Sequence, residues 1–111
     1  MLSERVRLSV YLPDAPNPSY GRLRTMLQEE FTDAFGGATT RHVDGNYLTF
    51  AGSNLVETVT VIYTYVPLTG AVTLESVGAY ADQLRVTVHD ALEEEVVLIV
   101  LERVLVSHAE A

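Results

Sequence analysis

The sequence contains no cysteine and no lysine, and each absence excludes a group of functions. Without cysteine there can be no disulfide, no thiolate catalysis and no cysteine-ligated zinc or iron–sulfur site. The seven basic residues are all arginine, and fifteen acids outnumber them, so the net charge is −8. Because such a negative field repels phosphate polyanions, we expect neither nucleic acid nor an anionic membrane as a partner.

Long apolar runs and familiar catalytic motifs are also missing. The longest apolar run, residues 96–101, is far shorter than the ~20 residues that a membrane-spanning helix needs. The first residues form no apolar signal core, so we expect no export and a cytoplasmic location. No GxSxG, P-loop, GxGxxG or HExxH pattern occurs, and we therefore expect no cofactor and assign no enzyme class. A chain of 111 residues predicts one domain over residues 1–111.

The most informative stretch is a β-branched and aromatic run over residues 59–66 that Pro67 closes. Side chains of this kind fit a pleated surface that is packed on both sides, so the run predicts a central strand. Strict alternation predicts a first strand, and apolar residues at helical spacing predict two helices. The predicted elements are strand 5–12, helix 20–35, strand 38–43, strand 46–50, strand 55–66, helix 73–92 and strand 96–106.

This order of elements predicts an α+β fold, a two-layer ferredoxin-like sandwich with a mainly antiparallel sheet and both helices on one face. Asp44-Gly45 is typical of a type I′ turn, so we expect an extra hairpin there, at one edge of the sheet. We expect the helices to bury six apolar residues against the sheet: Leu23, Leu27, Phe31, Val77, Leu84 and Val88.

Tyrosines mark the first candidate site. Tyr63 and Tyr65 share one face of the long strand with Val59 and Val61, and Tyr11 and Tyr47 are possible neighbours. Such rings with hydroxyl groups can line a pocket for a small aromatic or amphiphilic ligand, so we expect Tyr63 or Tyr65 to border the largest pocket. The alternative interpretation is ordinary core packing with hydroxyl groups at the rim.

His42, Asp44 and Glu57 form a second candidate set. If His42 and Glu57 lie on adjacent strands near the hairpin, they can bind a metal or act as an acid–base pair. The alternative is an exposed strand histidine beside an aspartate that serves the turn. Because the ligands are few and their spacing matches no known metal motif, we expect no metal.

Two short motifs and one glutamate together resemble an uncharacterised family of small bacterial proteins. The motifs are Gly37-Ala38-Thr39 and Asp44-Gly45-Asn46-Tyr47, and Glu57 then opens the long strand. The resemblance covers roughly residues 5–66, with Tyr47 at a position where the pattern leads us to expect tryptophan. It implies the ferredoxin-like fold and a bacterial protein without an assigned activity. His42, Tyr47 and Glu57 are the positions that match a site.

The last strand is apolar on both sides, since Leu98 and Ile99 point in opposite directions and their neighbours are also apolar. One layer of helices covers only one face of a sheet. We therefore expect a homodimer that uses residues 96–105, with Ile62 or Val66 contributing. The resulting hypothesis is a dimeric binding or interaction module. The alternative is a small cofactor-free enzyme that acts on a small apolar or aromatic ligand in a pocket between sheet and helices.

Overall fold

The computed structural model describes residues 1–14, 18–48, 52, 54–92 and 97–108, and its elements follow the predicted order closely. They are β1 (Leu2–Pro13), α1 (Pro18–Phe35), β2 (Thr39–Leu48), β3 (Asn54–Pro67), α2 (Leu74–Leu92) and β4 (Leu98–Ser107). The start that we predict for the last strand, Val96, lies outside the described residues.

The four strands form one sheet in the order β2-β3-β1-β4, and every neighbouring pair is antiparallel. β1 and β3 are therefore central, whereas β2 and β4 are the edges. Both helices pack on the same face of this sheet. The architecture is the two-layer ferredoxin-like α+β sandwich, and the prediction of the fold class is confirmed.

The core lies between the helices and the sheet. Alternation along β1 directs four side chains toward the helices, and each is at most 1 % exposed: Val6, Leu8, Val10 and Leu12. The six helical residues that we expected to be buried all belong to the same cluster, so that prediction is confirmed. Neither helix in the described ranges combines the length and hydropathy needed to cross a membrane.

The structure corrects the orientation that we expected for β3. Ile62 and Val66 point toward the helices and are 0 % and 3 % exposed. They cannot contribute to an outward-facing interface, so that part of the dimer prediction is wrong. The error arises because β3 carries apolar or aromatic side chains on both faces, and alternation alone does not then identify the buried face.

The predicted hairpin at Asp44-Gly45 is also wrong. Asp44 lies opposite Thr58 and Gly45 lies opposite Glu57, within an uninterrupted β2 that pairs with β3. What we predicted as two short strands is a single strand that extends to Leu48, and Phe50 lies outside the described residues. A two-residue turn preference is local, and pairing with β3 along the whole of β2 overrides it.

Between the end of β2 at Leu48 and the start of β3 at Asn54, the structure describes Gly52. This glycine has φ 79°, in the left-handed region that glycine adopts without a steric penalty.

The far end of β2 and β3 projects beyond the rest of the sheet. Pairing between β1 and β3 stops at Val59, and a hydrogen bond from the Asp14 N–H to the Thr58 carbonyl, 2.9 Å long, is the last link. Residues 45–48 and 54–57 are paired only with each other in the described part of the chain, and we call this segment the arm. Val56 in the arm is 60 % exposed. The arm contributes to the elongated shape of the molecule, 49 × 26 × 24 Å.

Candidate functional site

The face of the sheet that points away from the helices, here called the open face, carries most of the candidate residues. Directly paired residues in an antiparallel sheet point to the same face, so the register assigns them. Row by row across the strands, the register places these residues on the open face: Arg41, Val61 and Tyr11; Tyr63, Ser9 and Val100; Tyr65, Arg7 and Glu102.

A concavity of about 200 Å³ lies near the middle of the open face. Its lining consists of Arg7, Ser9, Tyr11, Arg41, Val43, Val61, Tyr63 and Glu102. Ser9 and Val61 are only 3 % and 7 % exposed, although no helix packs on this face. They form the floor because their side chains are short, whereas the arginines and tyrosines around them are long enough to form walls.

One wall is held in place by ionic and aromatic contacts. The Arg7 guanidinium donates a hydrogen bond to Glu102 at 2.9 Å, and this contact raises the pKa of Arg7. The guanidinium carbon also lies 5.9 Å from the centre of the Tyr63 ring, within cation–π range. Tyr63 in turn packs edge-on against Tyr65 at 5.9 Å. These contacts limit the movement of Arg7 and Tyr63.

The opposite wall carries an arginine of a different character. Arg41 is exposed and has no ion pair with any described residue. On the floor, the hydroxyl group of Ser9 has no hydrogen-bond partner in the described part of the chain. Arg7, Arg41 and Glu102 together leave one positive charge at the concavity, in a protein whose net charge is −8.

Of the predicted tyrosines, Tyr63 borders this concavity, while Tyr65 lies beside it on the same face. Tyr47 lies opposite Leu55 in the arm, and its side chain is outside the described part of the structure. The expectation that a tyrosine borders the largest pocket is wrong, because a concavity of about 480 Å³ lies between α2 and β4. The tyrosine pocket also opens on the bare face of the sheet and not between sheet and helices. A binding role for these tyrosines stays a prediction.

The second candidate set is divided between the two faces. His42 lies opposite Thr60 on the helix-facing side, together with Asp44. Glu57 lies opposite Gly45 on the open face, in the arm. The strands are adjacent, as we expected, but the two side chains point away from each other. The interpretation of His42 and Glu57 as an acid–base or metal-binding pair is therefore wrong.

His42 instead belongs to a hydrogen-bonded group at the edge of the helix-facing side. The Thr60 hydroxyl donates to Asp14 at 2.6 Å, and His42 Nδ1 lies 3.2 Å from the same hydroxyl oxygen. Because the only hydroxyl hydrogen of Thr60 is used, Nδ1 is assigned as the donor and Nε2 as the free acceptor. Asp14 also lies 3.4 Å from Arg24. The side chain of His42 is 63 % exposed, so Nε2 is accessible to solvent.

No group of three or more potential metal ligands occurs within the described ranges. The concavity between α2 and β4 is lined by Glu75, Asp82 and Arg85 among others, and it lies at the β4 edge of the sheet. His42 is on β2, at the other edge, three strand spacings or about 14 Å away. His42 is thus not brought to the pocket between α2 and β4.

Our sequence reasoning missed five residues of the concavity: Arg7, Ser9, Arg41, Val43 and Glu102. Alternation along β1 places Arg7 and Ser9 on one face, and that signal was available. Their proximity to Arg41 and Glu102 depends on the strand order, which brings residues from both ends of the chain beside β1.

Comparison with known proteins extends the fold assignment. No family model and no curated protein sequence matches the chain significantly. Among solved structures, CutA from Synechococcus elongatus PCC7942 is similar with a TM-score of 0.61 and 12 % identity, over 96 % of this chain and 86 % of that one. CutA from Pyrococcus horikoshii gives a TM-score of 0.52 and 13 % identity, over 95 % of this chain and 87 % of that one. At such identities the similarity concerns the fold alone, and it supports the small α+β fold that the resemblance of the sequence implied. The chain shares the fold of CutA over nearly its whole length.

Proposed function

We propose that the protein is a binding and interaction module that works as a homodimer, with the outer edge of β4 as the contact between two copies. The observation that carries this proposal is the character of β4. It is an edge strand of ten residues, and its outer N–H and C=O groups have no partner strand among the described residues. Such an edge is a template for pairing with another chain.

Exposed apolar side chains on β4 add to the backbone argument. Leu98 is 51 % exposed on the open face, and Leu105 is 69 % exposed on the helix-facing side. An interface along the edge would cover both, whereas a second layer on one face would cover only one of them. Burying apolar surface contributes about 25 cal/mol per Å², so both leucines favour association through the edge.

β4 also lacks the usual protection of an edge strand. Exposed edges are commonly protected by lysine, proline or inward-pointing charges. β4 contains no proline and no lysine, and its two charged residues are already engaged by β1. Glu102 pairs with Arg7 at 2.9 Å, and Arg103 pairs with Glu4. Because β1 neutralises these charges, they oppose the approach of a second copy less than free charges would. A two-fold axis then satisfies both copies with the same strand.

Replacing Leu98 with aspartate tests this proposal. We expect the wild-type protein to sediment at twice the mass of the chain at micromolar concentration, and L98D to sediment as a monomer with an unchanged circular dichroism spectrum. We expect the aspartate to prevent association, because its negative charge would be buried at the interface without a partner. The matched control is V86D, since Val86 is 50 % exposed but lies on α2.

Several results would contradict the proposal. A monomeric wild-type protein would remove it, and so would an L98D variant that keeps the mass of the wild type. Particles of three or more copies would retain self-association but exclude the homodimer. The cofactor-free enzyme acting on a small apolar or aromatic ligand stays a prediction, because no observation on the described residues tests an activity.

A further inference from the structure

We infer that the concavity on the open face binds a small organic monocarboxylate whose body is a single aromatic ring or a short apolar chain. The site is centred on β3 and β1, in the interior of the sheet. It does not require the outer edge of β4, so it stands independently of the dimer proposed above.

The net charge of the concavity favours a ligand that carries one negative charge. Arg41 is exposed, lines the concavity and has no ion pair within the described ranges. A guanidinium presents parallel N–H donors that match the two oxygens of a carboxylate. Arg7 is already held by Glu102 at 2.9 Å, so one net positive charge remains to be neutralised. A phosphate dianion would place excess negative charge beside Glu102 in a protein that is already strongly acidic.

The floor of the concavity provides a second polar contact. Ser9 is 3 % exposed, and its hydroxyl group has no partner in the described structure. Because this hydroxyl group lines the concavity and no protein group occupies it, it is available to donate a hydrogen bond to a ligand atom. A carboxylate oxygen held by Arg41 can accept the hydroxyl hydrogen of Ser9, because both residues line the same concavity.

The remaining lining residues define the rest of the ligand. Tyr11, Tyr63, Val43 and Val61 supply ring faces and methyl groups. Ring faces and branched aliphatic groups contact apolar bodies well, and the two tyrosine hydroxyl groups keep the rim polar. The volume of about 200 Å³ is below the range that encloses drug-sized ligands, roughly 300–1,000 Å³. The concavity therefore fits a body of one ring and not a larger fused system.

A nuclear magnetic resonance titration of the full chain, labelled with ¹⁵N, tests this inference. The probes are sodium benzoate, sodium hexanoate and benzamide, which has the shape of benzoate without its charge. We expect the carboxylates to shift the amide signals of Ser9, Arg41 and Val61, and we expect benzamide to bind at least about tenfold more weakly than benzoate.

Matched variants identify the groups responsible. R41Q is expected to weaken benzoate binding at least about tenfold, because it removes a charge-assisted hydrogen bond. R41K should recover part of the affinity, since it restores the charge but not the parallel donors. S9A should weaken binding by a smaller factor. The control is R85Q, which makes the same change in net charge on α2 and should leave the affinity unchanged.

Four results would overturn the inference. Two concern affinity: equal binding of benzoate and benzamide, and equal losses of benzoate affinity in R41Q and R85Q. The third is that neither carboxylate shifts the amide signals of the lining residues. The fourth is a change of particle mass in R41Q. The last result would assign Arg41 to a contact between copies of the chain. A failure of the homodimer in the L98D experiment would leave this test unaffected, because the two experiments address different residues and different signals.

Discussion

At the scale of single residues, a tyrosine between the two helices has the largest pKa shift among the described residues. The Tyr80 hydroxyl donates a hydrogen bond to Glu30 at 3.0 Å, and its ring meets Phe35 edge-on at 5.5 Å. Burial of the phenol, and then its hydrogen bond to Glu30, raise the pKa of Tyr80 above its usual value. The protonated phenol therefore stabilises the folded structure, because its hydrogen bond links α2 to α1.

This pKa shift predicts how the Tyr80→Phe variant depends on pH. At pH 7 we expect Y80F to lose about 1 kcal/mol of unfolding free energy, because the hydrogen bond is removed. As the pH rises through about 10, Tyr80 ionises first in the unfolded chain, so unfolding of the wild type becomes easier. The difference between wild type and variant should shrink over this range. Urea unfolding of both proteins at pH 7 and at alkaline pH measures this difference in unfolding free energy. A difference that does not change with pH would contradict the prediction.

At the scale of elements, the end of α1 depends on one of two adjacent glycines. Gly36 has φ 88°, and its N–H donates to the Thr32 carbonyl at 3.0 Å, which ends the helix with a left-handed residue. Gly37 has no positive φ, and a β-carbon would meet no atom within 4 Å at either position. The two positions therefore differ in backbone conformation and not in available space.

We expect Gly36→Ala to lower the unfolding free energy by about 1–2 kcal/mol, because alanine is strained in the left-handed conformation. Gly37→Ala, its matched control, should be neutral or stabilising by up to about 1 kcal/mol, because it restricts the unfolded chain. Denaturant unfolding of both variants checks this. Equal losses would show that the backbone conformation of Gly36 is not what stabilises the end of α1.

The elements also show how far the sequence predicts this fold. Leu23, Leu27 and Phe31 recur at helical spacing and are buried on one face of α1. The buried faces of the helices were predictable because this period is a property of the sequence itself. Asp44-Gly45 misled us because the preference of a dipeptide for a turn is small compared with the pairing of a whole strand. The site was only partly predictable. Tyr63 followed from alternation, but the proximity of Arg41, Ser9 and Glu102 requires the strand order.

At the scale of the whole molecule, β3 consists of a region within the sheet and a region in the arm, and the two differ in the number of strands that pair with them. Residues 59–63 pair with strands on both sides, residues 64–66 pair with β1, and Ile62 and Val66 are buried beneath the helices. Residues 54–57 pair only with β2 in the described structure, and an isolated two-stranded ribbon is marginally stable in water. The free energy of local opening should therefore fall along the strand toward the arm.

Native-state hydrogen exchange measures this difference directly. We expect the amides of Ile62, Thr64 and Val66 to exchange close to the rate set by global unfolding. Hydrogen-bonded amides within residues 54–57 should exchange at least about tenfold faster. Uniform protection along β3 in a monomeric variant such as L98D would contradict this expectation. Protection that appears in the arm only when the protein associates would place the arm at a contact between copies.

The arginines of the open face also make the distribution of charge asymmetric between the two faces of the molecule. Arg5, Arg7 and Arg41 lie on that face together with Glu57 and Glu102, which leaves a net charge of +1 there. The helices on the other face carry six acids and three arginines, a net charge of −3. This separation produces an electric dipole roughly perpendicular to the sheet. A small anion that approaches the protein is repelled by the net charge at a distance, yet within about one Debye length, ~8 Å at physiological salt, it meets the positive end first. The open face is therefore the side on which an anion has the lowest electrostatic barrier to arrival.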